Sequence, residues 1–333
     1  MKKIRVLCTL PMDPAGAAML ASVADVVAAP DQSAESLYET IGGADILVVR
    51  SQLPPDLFDR PNRLIGVVRH GTGLDLIPVE SATKHGIPVA NVPGANAQAV
   101  VEYCVGSFLA LARRFERMDQ ILHRDGWSAA RSLTSHATEL SGKTVGIVGL
   151  GTIGAALARV CHEGFGMRVL GYQRNTATIP AFVEPVSLAR LFAESDFISL
   201  NCPLTDATRH LVNATLLRSM KETAVIVNAA RGAVIDEAAL ALALRERWIK
   251  AAAIDVFAEQ PLAANHPFLE LDNIILTPHA AALTSESSEK MGVGTARQIL
   301  QLLAGERPDY LVNPDVWEHR RRLPGRDDRG DAA

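Results

Sequence analysis

The stretch Thr144-Val145-Gly146-Ile147-Val148-Gly149-Leu150-Gly151-Thr152-Ile153-Gly154-Ala155 decides the fold, because an apolar run passes directly into a Gly-x-Gly-x-x-Gly turn. The alanine-rich residues that follow predict a helix. A strand ending in such a turn lets backbone amides and the positive end of the helix face a pyrophosphate, and side chains at Gly149 or Gly151 would block that approach. The stretch therefore predicts a dinucleotide-binding turn formed by Gly149, Gly151, Thr152, Ile153 and Gly154.

Short β-branched runs alternate with alanine-rich helical segments on both sides of this turn. That pattern is typical of parallel strands joined by crossover helices, and it occurs twice. The sequence therefore predicts an α/β fold of two Rossmann-like domains, each a parallel sheet with flanking helices. One long helix is predicted from Ala97 to about Leu122. The predicted strands are 4–7, 46–49, 65–68, 145–148, 168–170, 197–200, 224–227 and 274–276.

Composition narrows the class of protein. A chain of 333 residues, 48% of them apolar, can build two hydrophobic cores. The net charge of -4 offers no broad basic surface, so we expect no nucleic-acid partner. Four scattered cysteines indicate reduced thiols and neither a disulfide framework nor a metal site. The apolar stretches are too short for a membrane span, so we expect a cytoplasmic protein. The residues 319–333 lack apolar periodicity, so we expect a disordered tail there.

Seven motifs follow one another along the chain, and together they resemble one family. They are 70–75 (His-Gly-Thr-Gly-Leu-Asp), 86–91 (Gly-Ile-Pro-Val-Ala-Asn), 139–144 with the glycine turn, 202–205 (Cys-Pro-Leu-Thr), 228–232 (Asn-Ala-Ala-Arg-Gly), 253–257 (Ala-Ile-Asp-Val-Phe) and 277–279 (Thr-Pro-His). The sequence resembles the D-isomer-specific 2-hydroxyacid dehydrogenases, which include phosphoglycerate, glyoxylate/hydroxypyruvate and D-lactate dehydrogenases.

The resemblance implies a nicotinamide-dependent enzyme that moves a hydride between nicotinamide C4 and C2 of a 2-hydroxy acid. It implies a discontinuous substrate-binding domain, 1–96 with 285–318, and a dinucleotide-binding domain, 97–284. The active site would lie in the cleft between the domains. A homodimer is implied as well, with the long helix after Ala97 and the arm 127–138 as its dimerisation element.

Reduction of a 2-oxo acid needs a fixed cation for the carboxylate and a proton donor for the forming alkoxide. Arg231 and His279 match these positions. A guanidinium is a planar two-pronged donor suited to a carboxylate, and an imidazole titrates near neutrality. The resemblance also assigns substrate contacts to Thr72, Gly73 and Asn96, and cofactor contacts to Cys202, Pro203, Ala229 and Asp255.

One position departs from the family. Where the family has a glutamate that pairs with the catalytic histidine and raises its pKa, this chain has Gln260, and an acid stands one residue earlier, at Glu259. A neutral amide can orient the imidazole, but it lacks the charge attraction, worth on the order of a few kcal/mol at contact distance. We therefore predict a less basic His279 than in relatives. The alternative is a shifted loop in which Glu259 takes the place of Gln260.

Two further choices depend on single residues. At the end of the second strand of this domain the chain has Gln173 and Arg174 where NAD-preferring relatives have an acid, so NADP(H) is predicted, with NAD(H) as the alternative. Arg50 and Ser51 resemble the Arg-Ser pair of phosphoglycerate dehydrogenases, so an anionic-tailed substrate is the alternative to glyoxylate or hydroxypyruvate. A dinucleotide-sensing corepressor-like binding protein is the alternative of another class. Loss of the glutamate favours it, whereas Arg231 and His279 argue against it.

Overall fold

The computed structural model describes residues 3–323 of the chain. They form two compact units, one of residues 3–96 with 284–323 and one of residues 97–283. Each unit is a parallel sheet with helices packed against it. The predicted α/β fold with two parallel sheets is therefore confirmed.

The first unit has a five-stranded sheet in the order β2-β1-β3-β4-β5. Its strands are β1 (Ile4–Cys8), β2 (Ala24–Ala28), β3 (Ile46–Val49), β4 (Gly66–Arg69) and β5 (Val89–Ala90). Its helices are α1 (Pro14–Leu20), α2 (Ala34–Ile41), α3 (Val79–Lys84) and, from the end of the chain, α11 (Ser285–Ala304). Helices α1 and α11 pack backbone to backbone: a Cβ on Gly16 would lie only 2.4 Å from the oxygen of Gly292, so glycine permits this close approach.

Part of the predicted disordered tail has a defined place in this unit. The backbone N–H of Arg321 donates to the oxygen of Gly86 (2.9 Å), and its guanidinium donates to the oxygens of His85 (2.8 Å) and to Asn62 Oδ1 (2.6 Å). These bonds hold Arg321 in place, contrary to the prediction for this part of the tail, since its donors find main-chain carbonyls there. The rest of the predicted tail, 324–333, lies outside the described residues.

The second unit has a seven-stranded sheet in the order β12-β11-β10-β9-β6-β7-β8. Its strands are β6 (Thr144–Val148), β7 (Arg168–Tyr172), β8 (Glu184–Pro185), β9 (Phe197–Leu200), β10 (Val225–Asn228), β11 (Ala251–Ile254) and β12 (Ile274–Leu276). Its helices are α4 (Ala97–Arg113), α5 (Phe115–Asp125), α6 (Trp127–Ser132), α7 (Thr152–Arg159), α8 (Leu188–Glu194), α9 (Ala214–Ser219) and α10 (Glu237–Arg245). A π-helical turn, Val160–Gly164, continues α7.

Two differences from the sequence prediction have local causes. The single helix predicted over 97–122 is wrong: α4 ends at Arg113, and Arg114 adopts a left-handed conformation (φ 58°) before α5 begins. Strand β11 was not predicted, because its sequence Ala-Ala-Ala-Ile carries almost no β-branched signal. It is nevertheless buried throughout, hydrogen bonded between β10 and β12, where small side chains suit packing on both faces.

The four cysteines lie in the cores of the two units. All are buried free thiols, and burial raises the pKa of Cys8, Cys104 and Cys161 to about 12. A thiol with so high a pKa is a poor nucleophile at neutral pH. Within residues 3–323 no helix has the length and apolar character needed to cross a bilayer.

Candidate active site

The candidate residues of the second unit follow the carboxyl ends of its parallel strands. The glycine turn follows β6, Arg174 follows β7, Cys202 follows β9, Arg231 follows β10 and His279 follows β12. Because the carboxyl ends of parallel strands lie along one edge of a sheet, residues far apart in the sequence share this edge.

The three glycines of the turn are needed for different reasons. Gly149 has a positive φ of 92°, and a Cβ there would lie 2.8 Å from the oxygen of Asn201. A Cβ on Gly154 would lie 1.9 Å from the oxygen of Gly149, so this glycine permits the tight packing of α7 on the turn. Gly151 differs, because a Cβ there would meet no described atom within 4 Å.

The space beside Gly151 suits a cofactor phosphate. Gly151 is the exposed residue that precedes α7, and the exposed Thr152 and half-buried Ile153 form the first turn of that helix. Backbone N–H groups at a helix start bind anions, and a side chain at Gly151 would occupy the space they face. The turn therefore fits the pyrophosphate of a dinucleotide.

Gln173 ties the end of β7 to the glycine turn. Its Oε1 accepts from the N–H of Leu150 (3.2 Å), and its Nε2 donates to the oxygen of Asn175 (2.5 Å) and to Thr178 Oγ1 (2.8 Å). The next residue, Arg174, is exposed, and its guanidinium has no hydrogen bond or ion pair within the described part of the chain. Its N–H donors are therefore available to a ligand.

The loops after β9 and β10 contribute main-chain atoms to the site more than side chains. Cys202 is buried, its N–H lies against Gly149, and burial raises the pKa of its thiol. Pro203 is exposed and Ala229 is half-buried. The main chain of Cys202 thus packs against the glycine turn at Gly149.

The loop that carries Arg231 is fixed by its own hydrogen bonds. The buried Asn228 donates from Nδ2 to the oxygen of Arg231 (3.0 Å) and accepts at Oδ1 from the N–H of Ala230 (3.1 Å). A Cβ on Gly232 would lie 1.9 Å from the carbonyl carbon of Phe257. The main chain beside Arg231 therefore packs directly on the loop that leads to Gln260.

His279 and Gln260 form a hydrogen-bonded pair. His279 Nδ1 lies 2.9 Å from Gln260 Oε1, and Gln260 Nε2 lies 3.3 Å from the oxygen of Phe257. Because the amide donates to Phe257, its oxygen faces the imidazole, and Nδ1 must carry the proton of this bond. In the neutral ring Nε2 then has the lone pair. Glu259 is exposed, and it is Gln260 that bonds to His279 Nδ1.

Asp255 binds the loop that carries His279. It is 1% exposed, and its carboxylate accepts from the hydroxyl of Thr277 (2.6 Å) and from the N–H groups of Ala280 (2.7 Å) and Ala281 (2.9 Å). A cofactor contact by Asp255 stays a prediction, since these bonds direct its carboxylate into the 277–281 loop.

The remaining candidates lie in the first unit, after β3, β4 and β5. The N–H groups of Arg50 and Ser51 both donate to Thr9 Oγ1 (2.9 and 3.0 Å), and the Arg50 guanidinium donates to the oxygen of Pro11. Thr72 Oγ1 lies 3.5 Å from Asn96 Oδ1, and the exposed Thr72 is followed by the half-buried Gly73. The structure thus anchors Arg50 and Ser51 on the same hydroxyl, that of Thr9, and brings Thr72 next to Asn96.

Two residues that support the site were not predicted from the sequence. Tyr103 on α4 contacts Thr277, which was seen only as part of a motif. Glu237 on α10 accepts from the N–H of Ala258 (2.8 Å) and lies 3.4 Å from His266 Nε2, so it holds the loop before Gln260. A tyrosine among the apolar positions of a helix was the available signal for Tyr103, because a buried hydroxyl needs a partner. Within residues 3–323 no cluster of three or more His, Cys, Asp or Glu is arranged to hold a metal ion.

Comparison with known proteins agrees with this geometry. The chain is 37% identical over 318 residues to a glyoxylate reductase of Thermofilum pendens, covering 92% of this chain and 93% of that one. It is 39% identical over 324 residues to a D-3-phosphoglycerate dehydrogenase of Methanocaldococcus jannaschii, covering 95% of this chain but 61% of that one. An NADPH-dependent glyoxylate/hydroxypyruvate reductase of Sinorhizobium meliloti, solved with NADP and malonate, superposes with a TM-score of 0.83 at 26% identity and covers 97% of this chain and 99% of its own.

A family model agrees as well. Residues 105–281 match the model of the D-isomer specific 2-hydroxyacid dehydrogenase NAD binding domain, and this stretch includes the glycine turn, Arg231 and His279. The chain therefore belongs to the D-isomer-specific 2-hydroxyacid dehydrogenase family.

Proposed function

We propose that the protein is an NADP(H)-preferring reductase of small 2-oxo acids of the glyoxylate and hydroxypyruvate class, also able to oxidise the matching D-2-hydroxy acids. The observation that carries the proposal is the His279–Gln260 hydrogen bond at the sheet edge that also bears Arg231 and the glycine turn. An acid/base histidine and a carboxylate-binding arginine are what reduction of a 2-oxo acid requires.

In this proposal each side chain has one task. Arg231 pairs with the substrate carboxylate through its planar guanidinium. A bound nicotinamide supplies the hydride for the substrate C2. The imidazolium of His279 gives its Nε2 proton to the carbonyl oxygen as that oxygen gains negative charge, and takes it back in oxidation. Gln260 holds the ring through Nδ1, so that Nε2 keeps one direction.

The names of relatives support the substrate class. Glyoxylate reductases and a glyoxylate/hydroxypyruvate reductase are among the proteins that this chain resembles over most of its length. Phosphohydroxypyruvate is the second candidate, supported by the D-3-phosphoglycerate dehydrogenase relative and by Arg50 at the end of β3.

The test is NADPH oxidation by the purified protein with glyoxylate, hydroxypyruvate, phosphohydroxypyruvate and sulfopyruvate. We expect turnover with the small substrates, and a loss of kcat of roughly 10²- to 10⁴-fold in His279→Ala, since general acid catalysis contributes this much. His162→Ala, on an exposed histidine of the same unit, is the control. Binding of NADPH with no turnover of any substrate, and binding unchanged in His279→Ala, would instead favour a dinucleotide-sensing protein.

Gln260→Glu should move the pH profile of reduction. Reduction requires a protonated His279, and a carboxylate beside Nδ1 favours that form, whereas the native amide does not. We therefore expect kcat/KM for reduction to fall on the alkaline side at a pH roughly one unit higher in Gln260→Glu than in the native protein. Glu259→Gln should leave the profile unchanged. A shift in Glu259→Gln, or an identical profile in Gln260→Glu, would contradict the role given to Gln260.

The preference for NADP(H) is supported by Arg174. Its exposed guanidinium follows β7, and Gln173 adds no negative charge that would repel a 2′-phosphate. We expect Arg174→Ala to lower kcat/KM with NADPH by roughly tenfold, the effect of losing one charge-assisted hydrogen bond, and to leave kcat/KM with NADH nearly unchanged. Arg245→Ala is the matched control. Equal losses with both cofactors would remove the case for NADP(H).

A homodimer is supported by α5 and α6. Helix α5 buries none of its residues within the chain, and Phe115, Leu122 and Trp127 are 51%, 43% and 69% exposed. A second copy is the occupant that we propose for this apolar face. Light scattering should give about twice 35.7 kDa for the native protein and a shift towards the monomer for Leu122→Glu with Trp127→Asp. Leu269→Glu, an exposed leucine elsewhere, should not change the mass. A monomeric native protein would refute the dimer.

A further inference from the structure

The backbone of His279 adopts a conformation that needs support. Its φ is 56°, in the left-handed region, where a residue other than glycine is disfavoured. Such a conformation persists only where the surroundings over-determine it, and it is common at functional sites.

Asp255 bonds to the backbone on both sides of His279. Its main-chain oxygen accepts from the N–H of His279 (2.8 Å), while its carboxylate accepts from Ala280 (2.7 Å) and Ala281 (2.9 Å). These three bonds fix the position of the His279 Cα. The orientation of the Asp255 carboxylate therefore helps to set the position of the His279 Cα, from which the imidazole extends.

Two hydroxyls fix that carboxylate in turn. Thr277 Oγ1 lies 2.6 Å from Asp255 Oδ1, and the hydroxyl of Tyr103 lies 2.7 Å from Thr277 Oγ1. An ionised carboxylate only accepts, so the single hydroxyl proton of Thr277 points to Asp255, and Tyr103 must donate to Thr277. Burial raises the pKa of Tyr103 to about 12, which keeps this donor protonated at every working pH.

We propose that Tyr103 and Thr277 are positioning residues, which hold His279 against Gln260 through the buried carboxylate of Asp255. Tyr103 comes from α4 and Thr277 from the end of β12, so the chain of hydroxyls transmits the position of a helix to the acid/base group. The proposal rests on the role of His279 in the proposed function. It predicts that loss of either hydroxyl loosens the imidazole without removing a contact to substrate or cofactor.

The experiment compares Thr277→Val, Thr277→Ser and Tyr103→Phe. The ¹⁵N NMR shifts of the imidazole report which ring nitrogen is protonated, with His279→Asn used for assignment. At an alkaline pH, where the ring is neutral, we expect an Nδ1-protonated His279 in the native protein and in Thr277→Ser, and a mixture of both tautomers in Thr277→Val. We expect kcat to fall roughly tenfold in Thr277→Val, as for the loss of a hydrogen bond to a charged group, with KM for glyoxylate and the NADPH dissociation constant unchanged.

Other results would overturn the proposal. These are a native-like tautomer and kcat in Thr277→Val, an equal loss in Thr277→Ser, or weaker NADPH binding as the main effect. A lower melting temperature with an unchanged tautomer would mean a structural role only. If Thr277→Val does not fold, Tyr103→Phe removes a single oxygen and should still give a mixed tautomer and a smaller loss of kcat. If the native protein reduces no 2-oxo acid, the proposed function fails, but the NMR shifts still decide this inference.

Discussion

The parallel hydrogen bonding of the second sheet is the constraint on which the site depends. It sets neighbouring loops side by side, and at three adjacent strand pairs a close main-chain contact then joins them. Gly149 after β6 packs on Asn201 after β9, and Gly232 after β10 packs on Phe257 after β11. The N–H of His279 after β12 donates to Asp255 after β11. The chemical groups are therefore positioned by backbone contacts, which vary less than side-chain rotamers do.

Gln260 stands where a glutamate is expected from the family resemblance, and the two side chains can do different things for a histidine. An acid beside a histidine both orients the ring and stabilises its positive charge. In this chain the amide, fixed by its bond to the oxygen of Phe257, can perform only the first task. The ring therefore keeps its direction, but the amide adds no charge that would stabilise the imidazolium.

The sequence predicted the elements that repeat a local pattern. The β-branched runs predicted β6, β9 and β12, and the glycine spacing predicted the turn whose close contacts the structure contains. Features that depend on tertiary contacts were not predictable. Strand β11 is a run of alanines that forms a strand because it pairs with β10 and β12. The break at Arg114 has no glycine or proline beside it that would mark it in the sequence. Tyr103 could not be linked to Thr277, because no spacing relates a helix residue to a strand end so far along the chain.

The carboxyl edge of the first sheet presents little positive charge to a phosphate. Three basic side chains, Arg50, Arg69 and His70, lie at the ends of β3 and β4, but they are not three cations open to a ligand. Arg69 donates to the main-chain oxygens of Val49, His70 and Gly73, and burial lowers the pKa of His70 to about 4, so this imidazole is neutral. Arg50 is half-buried, burial lowers its pKa, and it already donates to Pro11. A phosphate carries nearly two negative charges at neutral pH and binds best where several cations converge. One half-buried guanidinium is a weak match for it, which is why the proposed function places the small 2-oxo acids before phosphohydroxypyruvate.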